Sequence, residues 1–575
     1  IRHAAAGNAA EGRKGSLTMK AIVLVEAIST GLFYEQDILD RGYQPLVIYP
    51  HIEGSKEDKA FYENVRAVCR RRLSDKSILI PDDGNFAHLL EALKPYDIAC
   101  VLAGSEMGVV LADQLAHALG LPGNPPSSSQ LHLNKDLMQD ALRRHNLRSI
   151  RGKVVRSVQE VRDYWKELNV SHVVIKQVAG AATMGLHFCD SLEEAEAAAK
   201  QELETCDYFG KRADGLIMQE RIEGTEYIVN TVSRNGVHRV TDIWVYDKIR
   251  RGQSGNAYNY ARILRKPEAG HAEMIEYAYQ VLDALDFRYG PSHGEYMLTK
   301  TGPVLIEVGA RPMGGHFEKP LLDRLLGHHL TDVSLDSYLE PEAFERERCS
   351  PYRTNGFLMN KFFITPEGGA VDSYPILPLL RSLKTFVGGS LSPAFSDFRI
   401  PTTVDLDTAP GNILLYSEDE NKVWRDYQIV RTIETRCFSA LFQIHAEAEP
   451  YPASLPLPSM EGREGLTRIL AEEKRSLSEA EWITPDELSA SLALADAGIF
   501  LMKNKYSLEE RISLLHSLIR SIRPGGRIEI PKAVYAPTSV GRVGFELLLE
   551  AFGVILDVPA YGTDGSITGI VEGVE

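Results

Sequence analysis

The chain has 575 residues and a formal net charge of −16 at pH 7, and this length predicts roughly three to four domains. Apolar residues make up 44% of it and charged residues 25%, as in ordinary soluble globular proteins. The acidic balance argues against a nucleic-acid-binding protein and against a basic membrane-surface protein. The sequence also lacks an apolar run of about 18 residues, so we predict a cytoplasmic protein with neither a membrane nor a nucleic-acid partner.

None of the six cysteines forms a CxxC pair. This spacing favours free thiols in a reducing compartment over a disulfide framework or a zinc site. The cysteines are Cys69, Cys100, Cys189, Cys206, Cys349 and Cys437.

The first region with clear periodicity alternates apolar runs with helical patterns. "MKAIVLVEA", "YQPLVIYP" and "DIACVLAG" are typical of buried parallel strands. "LFYEQDILDRG" and "SEMGVVLADQLAHALG" have helical spacing and end at Gly42 and Gly120. We therefore predict a doubly wound α/β domain over residues 19–120. The small and polar residues 1–18 are expected to be a tag or a disordered leader.

From about residue 121 the pattern becomes α+β, with hairpin-like strands between helices such as "SLEEAEAAAKQELE". The Pro-rich segment 446–465 is predicted to be an interdomain linker. Residues 466–575 return to an α/β pattern, with a strand expected at "IEI".

Two glutamates stand in a predicted hairpin, "GEYMLTKTGPVLIEVGARPMGG" (294–315). A three-residue turn at 300–302 would place Glu295 directly opposite Glu307. Like charges in that position destabilise a sheet, and a divalent cation bound to oxygen ligands, such as magnesium, would remove the penalty. A two-residue turn would instead shift the register by one and send the glutamates to opposite faces. The register alone leaves both interpretations open.

Two further stretches suggest a nucleotide. Lys176 ends the strand "HVVIK" before the small-residue loop "QVAGAATMG", where backbone N–H groups and a lysine could hold phosphate. The alternative is a flexible surface hairpin. In "MQERIEGTEY" a short segment between two lobes could meet an adenine edge, with an acid further on for ribose hydroxyls. The alternative there is an exposed acidic turn.

These elements follow a fixed order: Lys135, Lys176, the small-residue loop, the "MQERIEGTE" segment and the two glutamates. In this order the chain resembles the ATP-grasp superfamily and, within it, the L-amino-acid ligases of the bacilysin-synthetase type. The resemblance covers about residues 19–445. It is carried by "LADQLAHALGLPGNPPSSSQLHLNKDLMQDAL", "MQERIEGTEYIVNTVSRNGVHRVTDIWVYDK" and "GPSHGEYMLTKTGPVLIEVGARPMGG".

The resemblance implies a fold and a domain division. The fold is an ATP-grasp fold with an N-terminal doubly wound α/β domain and an additional C-terminal α/β domain. The small lobe would span residues 121–205, and the large lobe with the ligase subdomain would span residues 206–445.

The resemblance also implies ATP and Mg²⁺ as cofactors and an acyl-phosphate intermediate. Lys248 would act from a mobile loop (245–262) that closes over ATP. His293 would face the amino-acid site, although an ordinary structural role is equally open. The family often has Asn two residues after the second glutamate, where this chain has Gly309. The resemblance implies that Lys135, Lys176 and Gly180 contact the phosphates and that Gln219, Glu220 and Ile222 line the adenine. It also implies that Glu226 holds the ribose, that Glu295 and Glu307 bind the metal, and that Arg311 binds the activated carboxylate.

Beyond the linker, "LADAGIFLMKNKYSLEERISLLHSLIRSIRPGGRIEI" and "GFELLLEAFGVILDVPAYG" resemble the C-terminal half of a class I S-adenosylmethionine-dependent methyltransferase. The glycine-rich half that would bind that cofactor is missing. We therefore expect no methyl transfer, and expect docking, dimerisation or shaping of the active-site mouth.

Three functional hypotheses follow. The first is an ATP-dependent ligase that joins an amino acid to an amine or to a second amino acid, releasing ADP and phosphate. The second keeps this chemistry but uses an acid or amine that is not an amino acid. The third is a non-catalytic nucleotide-binding scaffold, which the presence of both lysines, both glutamates and Arg311 disfavours. The expected partners are small-molecule amino-acid and amine substrates and, by analogy, a second copy of the chain in a homodimer.

Overall fold

The computed structural model describes most of residues 19–445 and three strands beyond them. Within 19–445 the positions left out are 53–62, 64, 68, 179–184, 205–214, 253–254, 316, 374–382, 392–398, 407, 437, 439–440 and 442.

The N-terminal region is built on a four-stranded sheet in the order β3-β2-β1-β4. Every neighbouring pair is parallel, and parallel neighbours require crossover connections, so the predicted doubly wound α/β unit is confirmed. The sequence analysis missed β3 because it has only three residues. The elements are β1 (Met19–Val25), α1 (Tyr34–Asp40), β2 (Gln44–Ile48), β3 (Ile78–Ile80), α2 (Phe86–Leu93), β4 (Tyr96–Ala103) and α3 (Val109–Ala118).

A second, antiparallel sheet has the order β5-β8-β6-β7. Side chains alternate along β6, as expected for a strand. Val173 and Ile175 pack into a core with two helices, while Val174 and Lys176 line an open cleft on the other side. The elements are α4 (Lys135–Arg144), β5 (Gly152–Val155), α5 (Val158–Leu168), β6 (Val173–Gln177), β7 (His187–Cys189), α6 (Leu192–Glu202) and β8 (Leu216–Glu220).

The largest sheet has eight antiparallel strands in the order β13-β12-β9-β10-β11-β14-β18-β16. Its last three strands come from the strand-rich segment after residue 340, which therefore extends this sheet. The strands are β9 (Thr225–Arg234), β10 (Val237–Arg251), β11 (Gly255–Ile263), β12 (Tyr289–Thr299), β13 (Gly302–Gly309), β14 (Phe357–Phe362), β16 (Phe386–Leu391) and β18 (Gly411–Ser417).

Helices and a small sheet complete this part of the molecule. The small sheet has the order β17-β15-β19. The helices are α7 (Ala269–Ala284), α8 (Lys319–Leu326), α9 (Leu330–Leu339), α10 (Pro341–Arg348) and α11 (Glu420–Arg436), and the strands are β15 (Gly369–Ser373), β17 (Arg399–Ile400) and β19 (Gln443–His445).

The prediction of a mobile loop over residues 245–262 is wrong for most of the segment. The chain continues as strand β10 to Arg251 and returns as β11 from Gly255. Strand β11 pairs along its length with the second half of β10, from Trp244 to Arg251, so tertiary pairing overrides the charged composition that suggested a loop. Only the tip of this hairpin lies outside the described residues.

Beyond residue 445 the structure describes three strands, β20 (Arg527–Ile530), β21 (Ile555–Tyr561) and β22 (Ile567–Glu572). The last strand lies between the other two and is antiparallel to both. The predicted strand at "IEI" is confirmed. The linker at 446–465 and the predicted helices of this region lie outside the described residues, and the resemblance to half a methyltransferase stays a prediction. No helix in the described parts of the chain is long and apolar enough to cross a membrane.

Candidate active site

The hairpin that carries the two glutamates differs from the predicted one in its turn. Thr299 pairs with Gly302, so the turn has two residues, Lys300 and Thr301. The predicted three-residue turn at 300–302 is wrong.

The two glutamates nevertheless lie directly opposite each other. Glu295 pairs with Glu307, while the next pair is Tyr296 with Leu305. Ile306 is therefore an extra residue on β13, which makes a β-bulge. The bulge reverses the one-residue shift that the shorter turn introduces, so both carboxylates return to one face of the sheet.

Nine of the residues predicted to bind nucleotide or metal line a single cleft between the four-stranded antiparallel sheet and the eight-stranded sheet. The cleft contains about 960 Å³ of space, part of it open to solvent. The sequence analysis did not find its apolar and aromatic walls, which include Val174, Phe188, Tyr258, Met297 and Ile306. The nine predicted residues are Lys135, Lys176, Gln219, Glu220, Ile222, Glu226, Lys248, Glu295 and Glu307.

Two lysines lie near the opposed glutamates of the cleft. Lys135 begins helix α4, and its Nζ lies 2.7 Å from Glu307 Oε2. Burial lowers the pKa of Lys176 to about 8, and the neighbouring charge of Lys135 acts in the same direction. A polyanion would be attracted to this pair and would relieve their mutual repulsion. Gly180, which was predicted to approach phosphate, lies outside the described residues.

A third lysine is paired with the predicted ribose ligand. Lys248 Nζ lies 2.6 Å from Glu226 Oε1 and 4.3 Å from the centre of the Tyr258 ring. Burial opposes the charge of Lys248, but the carboxylates of Glu226 and Glu295 outweigh it and raise its pKa. Burial and the nearby Glu295 charge raise the pKa of Glu226, against the effect of Lys248.

Glu295 remains strongly acidic although it is buried. Burial by itself would raise its pKa, but His293 and the positive charges of Lys248 and Arg311 together lower it. Glu295 is therefore ionised at neutral pH and able to bind a cation.

The segment predicted to meet adenine ends strand β8 and leads into β9. The Glu220 carboxylate is bound by Arg151, whose Nε lies 2.8 Å and whose Nη2 lies 2.6 Å from Oε2. Gln219 and Ile222 line the cleft on either side. The Glu220 side chain therefore ties the segment between the lobes to Arg151.

Arg311 and His293 lie beside the cleft rather than in its lining. Arg311 Nε lies 2.8 Å from Glu106 Oε2, a residue that the sequence analysis missed. His293 Nδ1 lies 2.9 Å from Asn230 Oδ1, and its Nε2 lies 3.6 Å from Glu295 Oε1. Glu106 follows β4, and the carboxyl ends of parallel strands are where α/β sheets bind ligands. That rule was the signal that could have identified it.

Gly309 takes the position where a third metal ligand was expected. A Cβ atom there would lie 3.0 Å from Glu106 Oε2 and 3.6 Å from Arg311 Nε. Any larger residue would press on the Arg311–Glu106 pair, so the glycine makes room for it.

Comparisons with known proteins bear on this fold and cleft. A family model for the ATP-grasp (A) domain of phosphoribosylglycinamide synthetase matches residues 133–313. The dapdiamide A synthase of Enterobacter agglomerans is 29% identical over 419 residues, which are 72% of this chain and 96% of that protein.

Solved structures show the same fold. The L-amino acid ligase from Bacillus licheniformis has a TM-score of 0.53 at 16% identity, covering 72% of this chain and 97% of the other. The carboxyaminoimidazole ribonucleotide synthase from Aspergillus clavatus, solved with ATP, has a TM-score of 0.51 at 12% identity, covering 72% and 99%.

Residues 133–313 match an ATP-grasp domain, and the fold and the charged cleft agree with that match. The match contains the predicted residues from Lys135 to Arg311. The family match and the dapdiamide A synthase relative support an ATP-grasp ligase.

Proposed function

We propose that this ligase joins the carboxylate of an amino acid to the amine of a second amino acid or of another small molecule. The substrate carboxylate attacks the γ-phosphoryl group of ATP, ADP leaves, and an acyl phosphate forms. The amine then attacks the acyl carbon and displaces phosphate. The observation that carries the proposal is the opposed pair Glu295 and Glu307, beside cationic Lys135, Lys176 and Arg311. Phosphoryl transfer needs this combination of metal ligands and positive charges.

Magnesium fits the residues that are present. Among the described residues no group of three or more His, Cys, Asp or Glu side chains could hold a metal ion. Magnesium at nucleotide sites, however, is usually held by one or two carboxylates together with phosphate oxygens and water. Glu295 and Glu307 would supply the two carboxylates. A bound magnesium would neutralise charge on the β- and γ-phosphates.

The other cleft residues have complementary roles in the proposal. Lys135 and Lys176 bind the phosphates, together with the loop at Gly180. Gln219, Glu220 and Ile222 border the adenine. When a nucleotide enters, Glu226 exchanges its bond to Lys248 for the ribose hydroxyls, which releases Lys248 toward phosphate. The complex of the Aspergillus clavatus enzyme with ATP supports nucleotide binding in this fold.

An amino acid complements the pair formed by Arg311 and Glu106. The two groups carry opposite charges, and burial of Arg311 is outweighed by the carboxylate of Glu106, which raises the pKa of the guanidinium. A zwitterion entering between them would place its carboxylate at Arg311, whose planar fork suits it, and its ammonium at Glu106. His293 lies between this pair and Glu295, and we propose that it contacts the same substrate.

A phosphate-release assay tests the proposal. The full-length chain is mixed with ATP, Mg²⁺ and pairs of amino acids, and then with amino acids and simple amines. We expect release that requires both an acid and an amine, with a condensed product of the combined mass less water. If no pair stimulates release, the scaffold hypothesis replaces ours. If only acids without an α-amino group respond, the ligase acts outside the amino acids.

The remaining expectations also belong to this proposal. We divide the chain into domains 19–120, 121–205 and 206–445, which limited proteolysis would test. The four described cysteines, Cys69, Cys100, Cys189 and Cys349, are free thiols, as in the reducing cytoplasm that we propose. The homodimer stays a prediction, to be tested by sedimentation.

A further inference from the structure

A second cavity lies on the far side of Asn230 from the charged cleft. It contains about 480 Å³ of space, part of it open to solvent, between the loop after β1, strands β9 and β10, and helices α8 and α9. Its lining consists of Thr30, Phe33, Asn230, Asp242, Trp244, Met313, Phe317, Lys319, Leu322, Leu326, His329, Leu330 and Thr331.

Apolar side chains form most of its wall. The rings of Trp244 and Phe317 stack with their centres 4.9 Å apart, and Met313, Leu322 and Leu326 pack against the same core. An apolar group that enters this cavity exchanges water for such contacts, which is favourable.

Two buried carboxylates hold the polar side chains of the wall. Asp242 accepts hydrogen bonds from Asn230 Nδ2 and from Trp244 Nε1, the latter at 2.6 Å. Asp37, behind the wall, accepts bonds from three lining residues. These are Lys319 Nζ at 2.6 Å, His329 Nε2 at 3.1 Å and Thr331 Oγ1 at 2.6 Å.

Thr30, the remaining polar side chain of the lining, donates to Gly315 O at 2.8 Å. The polar lining groups are thus engaged within the protein. A polar substituent that enters the cavity would exchange water for a mostly apolar wall, which is costly wherever it is not hydrogen-bonded.

Strand geometry places this cavity further along the sheet face that carries the charged cleft. Glu226 and Asn230 lie on the same face of β9 because side chains alternate, and four residues of strand span about 13 Å. His293 stands opposite Asn230 in the sheet, between the cavity and Glu295. Met313, in the cavity wall, follows Arg311 by two positions in the chain.

We infer that this cavity receives an apolar side chain of the amino acid whose carboxylate is activated, so that the donor is an aliphatic or similarly apolar amino acid. The inference rests on the proposed function. Arg311 holds the carboxylate at the junction of the two cavities, ATP fills the charged cleft, and the donor side chain points the other way, past Asn230.

Hydroxylamine trapping tests the donor without knowledge of the natural amine. Each proteinogenic amino acid is supplied alone with ATP, Mg²⁺ and hydroxylamine. The hydroxylamine nitrogen forms a bond to the acyl carbon, the bond from that carbon to the phosphate oxygen breaks, and phosphate leaves. We expect hydroxamate mainly from apolar donors. Valine should exceed its isostere threonine by on the order of 100-fold in kcat/KM, the discrimination that apolar pockets reach.

Two variants that introduce the same tryptophan ring, one inside the cavity and one outside it, sharpen the test. Leu322→Trp fills the cavity, and we expect the ratio of leucine to alanine hydroxamate to fall by at least about tenfold, as a loss of about 1.4 kcal/mol would give. Ile429→Trp adds the same ring at an exposed position on α11 and should leave the ratio unchanged.

The outcomes separate the inference from the function beneath it. Hydroxamate that forms best from polar donors, or a ratio that Leu322→Trp does not move, would overturn the inference and leave the ligase proposal standing. Hydroxamate from no amino acid would contradict the proposed function and this inference together.

Discussion

The charged cleft and the apolar cavity lie on one face of the same two strands and have opposite characters. On β10, Lys248 points into the cleft, while Asp242 and Trp244 border the cavity. In the cleft the charges meet across open space, where a ligand can replace their partners. In the cavity the polar groups are bonded within the wall, and apolar surface is what remains. One sheet thus provides a charged end and an apolar end.

The largest loss of activity is expected from a change in the proposed metal ligands of the cleft. Glu307→Gln removes one of the two opposed carboxylates, and we expect kcat for phosphate release to fall about 10²- to 10³-fold, as for other losses of transition-state charge stabilisation. Glu91→Gln, on an exposed surface of α2, is the matched control. Full turnover by Glu307→Gln would refute the metal assignment.

A smaller effect is expected at the junction of the two cavities. Glu106→Gln removes the negative partner proposed for the substrate ammonium. A hydrogen bond to a charged group contributes about 1.5–3 kcal/mol, so KM for the amino-acid donor should rise about 10- to 150-fold. KM for ATP should stay the same. If both values rise together, Glu106 acts on the whole site instead of on the amino acid.

The pH dependence of ATP capture tests the cationic end of the cleft. Because burial lowers the pKa of Lys176 to about 8, its ammonium is charged below that pH and lost above it. We expect kcat/KM for ATP to fall by up to about tenfold between pH 7 and pH 9. In Lys176→Arg the side chain stays charged throughout, so its profile should be flatter. Parallel profiles would mean that Lys176 does not face phosphate.

The smallest effect concerns the glycine beneath the Arg311–Glu106 pair. Gly309→Ala places a methyl group 3.0 Å from Glu106 Oε2, which displaces a flexible carboxylate by a few tenths of an ångström. We expect a rise of about 3- to 10-fold in KM for the amino-acid donor, equivalent to about 0.7–1.4 kcal/mol. Gly270→Ala, on α7 with nothing within 4 Å, is the control. An unchanged KM would show that the pair tolerates a side chain there.

Much of the cleft could be predicted because its residues stand at strand ends in a recognisable order. The opposed glutamates show where such reasoning stops. The two-residue turn was the alternative that should have separated Glu295 from Glu307, and the bulge at Ile306 restored their opposition. A bulge depends on how both strands pack in the sheet, and the isoleucine gives no local signal for it.

Other features depend on contacts between distant parts of the chain. Glu106 is 205 positions from Arg311, and the apolar cavity joins Phe33 to Leu326. The charged sequence of residues 245–262 suggested a loop, but pairing with β9 and β14 makes the segment part of the largest sheet. Tertiary pairing decided its structure over local composition.

The central claim is that a carboxylate is activated by phosphorylation in the charged cleft. It is tested most directly with a donor amino acid labelled with ¹⁸O in its carboxylate, in a complete reaction with ATP and an amine. An acyl phosphate must pass one carboxylate oxygen to the released phosphate, so we predict one ¹⁸O atom in phosphate, read by mass spectrometry. Amide product accompanied by unlabelled phosphate would contradict the mechanism.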